Sequence, residues 1–206
     1  TDSHLQGSPT TAAAQELGLP LYTFDTALEA MREGRLKYDL GLSVLYWRKL
    51  RDEFLSIPTL GTINFHPALL PEYKGTGGYN LAIMDELNEW GNTAHYVDAS
   101  IDTGEIIEVD RFPIDAETET AQSLERKTMQ ALEPFAQRII ARAIESKTKL
   151  PTTPNIGGRY VSRDEMEAMK QILNGDNIEK KIRAFWFPPY DGAYVEINGQ
   201  KYTLIN

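Results

Sequence analysis

Apolar and polar positions alternate along the chain in two rhythms, and the switches between them outline a fold. Residues 10–17 follow Ser8 and Pro9 and stop before Gly18. A capping serine, a first-turn proline and a trailing glycine predict a short helix there. Residues 19–24 (LPLYTF) read as a short strand, and Asp25 as the cap of a helix over 26–32 that ends at Gly34. The run YDLGLSVLY at 38–46 is nearly continuous in apolar, β-branched and aromatic residues. That is the pattern of a strand buried on both faces, as in a parallel sheet. A helical turn over 50–55 is broken by Pro58, and another strand opens at Thr62 and Ile63. Strands and helices alternating at these spacings predict an α/β fold with a doubly wound, mostly parallel sheet.

Downstream, the Gly75-Thr76-Gly77-Gly78 loop precedes a predicted helix over 79–87. Residues 92–98 and 105–114 read as strands joined by the loop 99–104, and 116–147 as a long amphipathic helix. Leu124, Met129, Leu132, Phe135, Ile139 and Ile140 fall on one stripe of that helix, a core or subunit-contact pattern. Pro151-Thr152-Thr153-Pro154 reads as a linker. It divides the chain into a main domain, 1–150, and a smaller helical and β-hairpin subdomain, 151–206. The latter holds helices over 163–173 and 178–184 and a hairpin over 194–197 and 201–205, turning at Asn198-Gly199. The chain opens Thr1-Asp2-Ser3-His4, with no initiator Met and no strand ahead of it. A doubly wound sheet would need further amino-terminal strands, which this reading expects to be missing from the chain.

Composition narrows the partners. The chain has 206 residues, 41% hydrophobic and 25% charged, as in a soluble globular protein. A net charge of −9 argues against nucleic acid, whose phosphates need a wide basic face. A small phosphorylated ligand held by one or two cations stays compatible. There is no cysteine and only three histidines, His4, His66 and His95, so the reading expects neither disulfides nor a metal site. No apolar run approaches a membrane span and no signal peptide is visible, which makes the cytoplasm the expected compartment and a membrane partner unexpected.

Asn64 and His66 lie two apart on the strand that opens at Thr62, so their side chains share one face. Pro67 ends that strand and Pro71 closes the next turn. The strand tip therefore presents an amide and an imidazole together, at the end of the sheet where α/β folds bind ligands. His95, inside the 92–98 strand, reads as structural or surface. The glycine-rich loop at 75–78 can offer backbone N–H groups to phosphate. It matches neither Gly-x-Gly-x-x-Gly nor the Gly-Lys-Ser/Thr loop, and a plain connector fits it equally.

The stretch Asn64-Phe65-His66-Pro67-Ala68-Leu69-Leu70-Pro71 with Gly75, followed by Ser100-Ile101-Asp102-Thr103-Gly104-Glu105-Ile106-Ile107, resembles the 10-formyltetrahydrofolate-dependent formyltransferase family. The resemblance covers roughly residues 20–114 and implies a Rossmann-like fold. It implies a catalytic trio of Asn64, His66 and Asp102. It also implies a pocket for 10-formyltetrahydrofolate, the co-substrate, at Tyr46, Trp47, Arg48, Lys49 and Leu50 and at the loop beginning with Asp98. An Asn N–H and a protonated His can both donate to the oxyanion formed when an amine attacks a formyl carbon. A nearby carboxylate is expected to raise the His pKa and to help move the amine's proton.

Residues 182–193 (IRAFWFPPYDGA) are similar to the carboxyl-terminal segment of the tRNA and sugar members. Together with the acidic charge, this points to nucleotide-sugar N-formyltransferases acting on dTDP-linked amino-dideoxy sugars for surface polysaccharides. Expected acceptor contacts are Tyr73, Tyr79, Trp186 and Tyr190 as stacking surfaces, Lys74 for the diphosphate, and Gly75 and Thr76 in the loop. The aromatic cluster of Trp186, Phe187 and Tyr190 suggests a homodimer. Methionyl-tRNA or glycinamide ribonucleotide formyl transfer, formyltetrahydrofolate hydrolysis and an inactive binding fragment remain as alternatives.

Overall fold

The computed structural model describes residues 8–46 and 48–206, so His4 and Trp47 lie outside the described residues. Helix α1 (Pro9–Glu16) is capped by the Ser8 hydroxyl, which accepts the Thr11 N–H at 3.2 Å. Helix α2 (Phe24–Arg32) starts ahead of its predicted position because Thr23 and Thr26 form a reciprocal cap. The stretch 19–23, read as a strand, is irregular. Then come β1 (Gly41–Val44), α3 (Asp52–Ser56), β2 (Thr62–His66), β3 (Tyr73–Gly75), α4 (Gly78–Met84), β4 (Glu89–Tyr96), β5 (Ile106–Pro113) and α5 (Ala121–Ser146). The chain finishes with β6 (Arg159–Val161), α6 (Arg163–Met169), α7 (Ile178–Phe185) and the hairpin β7 (Tyr194–Ile197) and β8 (Gln200–Thr203).

The fold is mixed α/β. Its main sheet runs β1-β2-β4-β5, with β1 parallel to β2 and the β2–β4 and β4–β5 pairs antiparallel. The loop from β4 to β5 is too short for the crossover of about a dozen residues that parallel strands require. Strand β1 differs from its expected burial on both faces. Gly41 and Ser43 are covered, while Leu42 and Val44 are 47% and 48% exposed.

Ile63 and Phe65 of β2 and Ala94 of β4 pack against Leu132, Phe135, Ile139 and Ala143 of α5. The stripe read from the sequence thus covers the sheet, and α5 starts at a Thr120–Ser123 capping box, five residues later than predicted. A second cluster gathers Ala68, Leu69, Ala82 and Leu124 around Trp90. A third joins Ile83 of α4 to Ala184, Phe185 and Ala193.

Two features of the carboxyl-terminal part were not predicted. Thr153, within the linker stretch, exchanges backbone hydrogen bonds of 2.8 and 2.9 Å with Ile106, and β6 pairs in parallel with β3. Helix α6 ends at Met169, before the predicted 173, because Ile172 donates its N–H to the Tyr194 carbonyl and ties the chain to the hairpin. Asn198 and Gly199 turn that hairpin with φ of 53° and 78°, the left-handed pair that an Asn-Gly turn supplies.

Candidate active site

The register of β2 against β4 sets Asn64 directly opposite His95 and His66 opposite Thr93. Cross-strand partners share a face, and the Asn64 Nδ2–H donates to His95 Nε2 at 3.0 Å. The other His95 nitrogen, Nδ1, lies 2.8 Å from the Tyr96 carbonyl. A carbonyl only accepts and an amide nitrogen only donates, so this pairing places a hydrogen on His95 Nδ1 and makes Nε2 the acceptor. Beyond His66, the Thr93 hydroxyl donates to the Ala68 carbonyl at 2.7 Å and accepts the Leu70 N–H at 3.1 Å. That pair of bonds fixes the turn through Pro67.

Asp102 stands between the two imidazoles. Its Oδ2 is 3.6 Å from His66 Nδ1 and its Oδ1 is 3.7 Å from His95 Nε2. The Gly75 N–H donates to Oδ2 at 2.9 Å. His66 Nε2–H donates to the Tyr73 carbonyl at 2.9 Å. The loop bearing Asp102 returns tightly onto β4: a Cβ at Gly104 would sit 1.7 Å from the Tyr96 carbonyl oxygen.

Burial dominates the His66 titration and lowers its pKa, outweighing the upward pull of Asp102 and of the Tyr73 carbonyl. This corrects the expectation that the carboxylate holds His66 in its charged form. For Asp102, burial pushes the pKa upward. The His95 and His66 imidazoles on either side and the Gly75 N–H together outweigh that push and hold it below its usual value. The site is therefore an ionised carboxylate beside a neutral imidazole.

A pocket opens on this cluster, lined by Asn64, His95 and Asp102 together with Tyr46, Arg48, Lys49 and Leu50. Ser43, Val97, Asp98, Ser100 and Ile101 complete its walls. A lining that mixes apolar side chains with amide, carboxylate and cationic groups suits a flat heteroaromatic ring with hydrogen-bonding edges. Asp98 shapes the loop, its Oδ1 accepting from the Ser100 N–H and the Thr103 hydroxyl. His66 is not among the walls and meets the cluster through Asp102. Trp47 lies outside the described residues. Among the described residues no group of three or more His, Asp or Glu is arranged to hold a metal ion, and no helix is long and apolar enough to cross a membrane.

The expected acceptor contacts do not gather there. Lys74 is a correction: it is buried and its Nζ donates to the Gly157 carbonyl at 2.7 Å, which engages it inside the fold. Tyr73 and Tyr79 pack against Trp90, with ring centroids 5.3 and 6.3 Å away. The Tyr73 hydroxyl donates to Asp85, and burial, followed by that neighbouring carboxylate, pushes its pKa up to about 12. Gly75 gives its N–H to Asp102, and Thr76 gives its own to the Val161 carbonyl. Neither amide is left for phosphate. Trp186 is half-buried, and Tyr190 is 67% exposed beside Phe187, 6.0 Å between centroids.

His95 is the member of the cluster that the sequence reading assigned elsewhere. Its signal is the pairing register, which a single strand pattern does not carry. A shift between Ala94 and His95, whose β5 partners are Glu108 and Ile106, further separates this end of β4 from simple alternation.

Residues 6–140, more than half of the chain, match the family described as Formyl transferase. A methionyl-tRNA formyltransferase of Paracoccus denitrificans is 30% identical over 207 residues, covering 96% of this chain and 66% of that protein. A GDP-perosamine N-formyltransferase of Brucella melitensis is 28% identical over 169 residues, 81% of this chain and 64% of the relative. The chain spans about half to two thirds of the length of the curated relatives it matches. In structure it is similar to an N-formyltransferase from Helicobacter canadensis solved with folinic acid and dTDP-3-aminofucose. That similarity has a TM-score of 0.71 and 27% identity, covering 92% of this chain and 68% of the other.

Proposed function

Because the chain belongs to the formyl transferase family, we propose that it transfers a formyl group from 10-formyltetrahydrofolate to the amine of a nucleotide-linked amino sugar. The acceptor we infer is a dTDP-linked amino-dideoxy sugar destined for surface polysaccharide. The observation that carries most weight is the buried network of Asn64, His95, Asp102 and His66 opening onto one pocket. The Helicobacter canadensis enzyme bound to a folate and a dTDP-amino sugar supports the same pairing of substrates. In this reading Trp47 joins Tyr46, Arg48, Lys49, Leu50 and Asp98 at the folate, and Tyr190 and Trp186 serve the acceptor. A homodimer formed through the segment after Asp115 belongs to the same proposal, with exposed Tyr190 at its surface.

When bound, 10-formyltetrahydrofolate supplies the electrophilic carbon, and the chain supplies charge stabilisation and proton transfer. Asn64 spends one amide hydrogen on His95 and keeps the second for the oxygen that becomes negative as the amine attacks. A fixed donor of that kind is worth ~10²–10³ in rate. Neutral His66, whose Nε2–H is held by the Tyr73 carbonyl, takes the amine's proton at Nδ1, with Asp102 stabilising the imidazolium, and the proton passes to the folate nitrogen as its bond to the formyl carbon breaks. Activity should therefore fall with pH as the attacking amine is protonated, and fall further once His66, titrating below its usual range, takes up a proton.

Methionyl-tRNA is the second reading, because the Paracoccus denitrificans relative aligns over nearly the whole chain. The net charge of −9 weighs against it, since tRNA binding needs basic surface. The test incubates the protein with 10-formyltetrahydrofolate and separate pools of dTDP-amino sugars, GDP-amino sugars, glycinamide ribonucleotide and methionyl-tRNA. Formyl is expected on the dTDP-amino sugar. Formyl on methionyl-tRNA or glycinamide ribonucleotide alone would overturn the acceptor, and formate alone would mark a hydrolase. His66→Asn should cut turnover severely while leaving nucleotide affinity nearly unchanged.

A further inference from the structure

Asp102 is held from two sides, and both holds depend on the segment that follows the stretch the sequence marks as a linker. We propose that Asn155, in that segment, is a positioning residue that sets the Asp102 carboxylate against His66 and His95. The proposal rests on the formyl-transfer reading for the role of Asp102. Asn155 Nδ2 donates to two carbonyls of one loop, that of Asp102 at 3.0 Å and that of Gly104 at 2.9 Å. One amide nitrogen with two hydrogens is the side-chain group that matches two carbonyls set two residues apart.

The loop needs such a hold. Asp102 has φ of +54°, a left-handed conformation uncommon outside glycine, which aspartate adopts more readily than most residues and which local hydrogen bonds help to hold. The segment carrying Asn155 is itself fastened at both ends. Thr153 exchanges backbone bonds with Ile106, and the Arg159 N–H donates to the Glu72 carbonyl at 2.8 Å. Between them, buried Lys74 clamps the Gly157 carbonyl, and Gly158 runs so close to Pro71 that a Cβ there would sit 1.5 Å from the Pro71 carbonyl oxygen. Strand β6 then pairs with β3, whose Gly75 N–H holds the Asp102 Oδ2. One strap thus supports the backbone of Asp102 through Asn155 and its carboxylate through β3.

The test replaces Asn155 with Leu, which keeps the approximate shape and removes both donors, and with Gln, which keeps the amide on a longer arm. In Asn155→Leu, kcat is expected to fall ~10²-fold, the scale of a misplacement of about 1 Å, with KM for 10-formyltetrahydrofolate little changed and Asn155→Gln recovering part of the loss. In an Asp102→Asn background the Asn155→Leu change should add nothing, because its effect passes through Asp102. NMR titration of the His66 imidazole supplies a readout without turnover: its pKa should drop in Asn155→Leu as the carboxylate's pull is lost. If Asn155→Leu does not fold, Asn155→Ser, which keeps one donor, is read in the same way. Unchanged kcat and His66 titration in a folded variant would overturn the proposal, as would losses that simply add to those of Asp102→Asn. Should Asp102→Asn itself transfer formyl normally, the catalytic reading fails, and the His66 titration still decides whether Asn155 positions the carboxylate.

Discussion

On one face of β2, Ile63 and Phe65 are fully buried among side chains of α5. On the other, Asn64 and His66 meet His95, Asp102 and a backbone carbonyl. The two faces are built from alternate residues of one five-residue strand, yet they are held by different physics. Burial on the apolar face is non-directional and shared among many neighbours. On the polar face each bond has one donor and one acceptor, and losing either partner strands the other in a buried site. The first face should therefore set stability and the second turnover.

The largest effect expected is on the apolar side. Phe65→Ala should cost about 3–5 kcal/mol of stability, the range for emptying a buried aromatic site, measured by denaturant unfolding. A loss no larger than that of a surface change would mean the sheet and α5 are not packed as described. Next, Asn64→Ala should lower kcat ~10²–10³-fold with a much smaller change in unfolding midpoint. If stability fell as far as in Phe65→Ala while turnover survived, the contrast between the faces would be broken.

A subtler test uses pH. His66 titrates below its ordinary 6.5 because of burial, so the unfolded chain takes up that proton first as pH falls. The stability held by neutral His66 is present above about pH 6.5 and is lost as pH falls from there toward the folded value. Asp102→Asn removes an upward pull, so the His66 NMR titration should move still lower; an upward move would contradict the geometry. The smallest effect is a control away from both faces. Glu89→Ala removes an exposed partner of Arg111 at 2.6 Å and should change stability by about 0.2–1 kcal/mol, and less at high salt.

Alternation and punctuation made the centre of the site legible. Two positions with two-residue spacing before Pro67 suffice to place Asn64 and His66 together, and helical spacing suffices for the stripe on α5. His95 was hidden because its role depends on which β2 residue it faces. Strands β3 and β6 are three residues each, too short to carry a period, so the clamp on Asp102 is invisible until the two are paired. Lys74 looked available because a sequence does not reveal that its ammonium finds the Gly157 carbonyl. The family resemblance brings a carboxylate to His66, but the burial that lowers the His66 pKa is a property of the whole fold.

Trp90 has no exposed surface, and its indole lies edgewise to the ring of Tyr73, 5.3 Å between centroids. The carbonyl of that same tyrosine receives the His66 N–H. The indole should emit toward the blue and collect excitation energy from the phenol beside it. Any event that shifts β3 against His66 would alter that transfer, so the protein carries its own optical gauge of the candidate site in a position no ligand needs to touch.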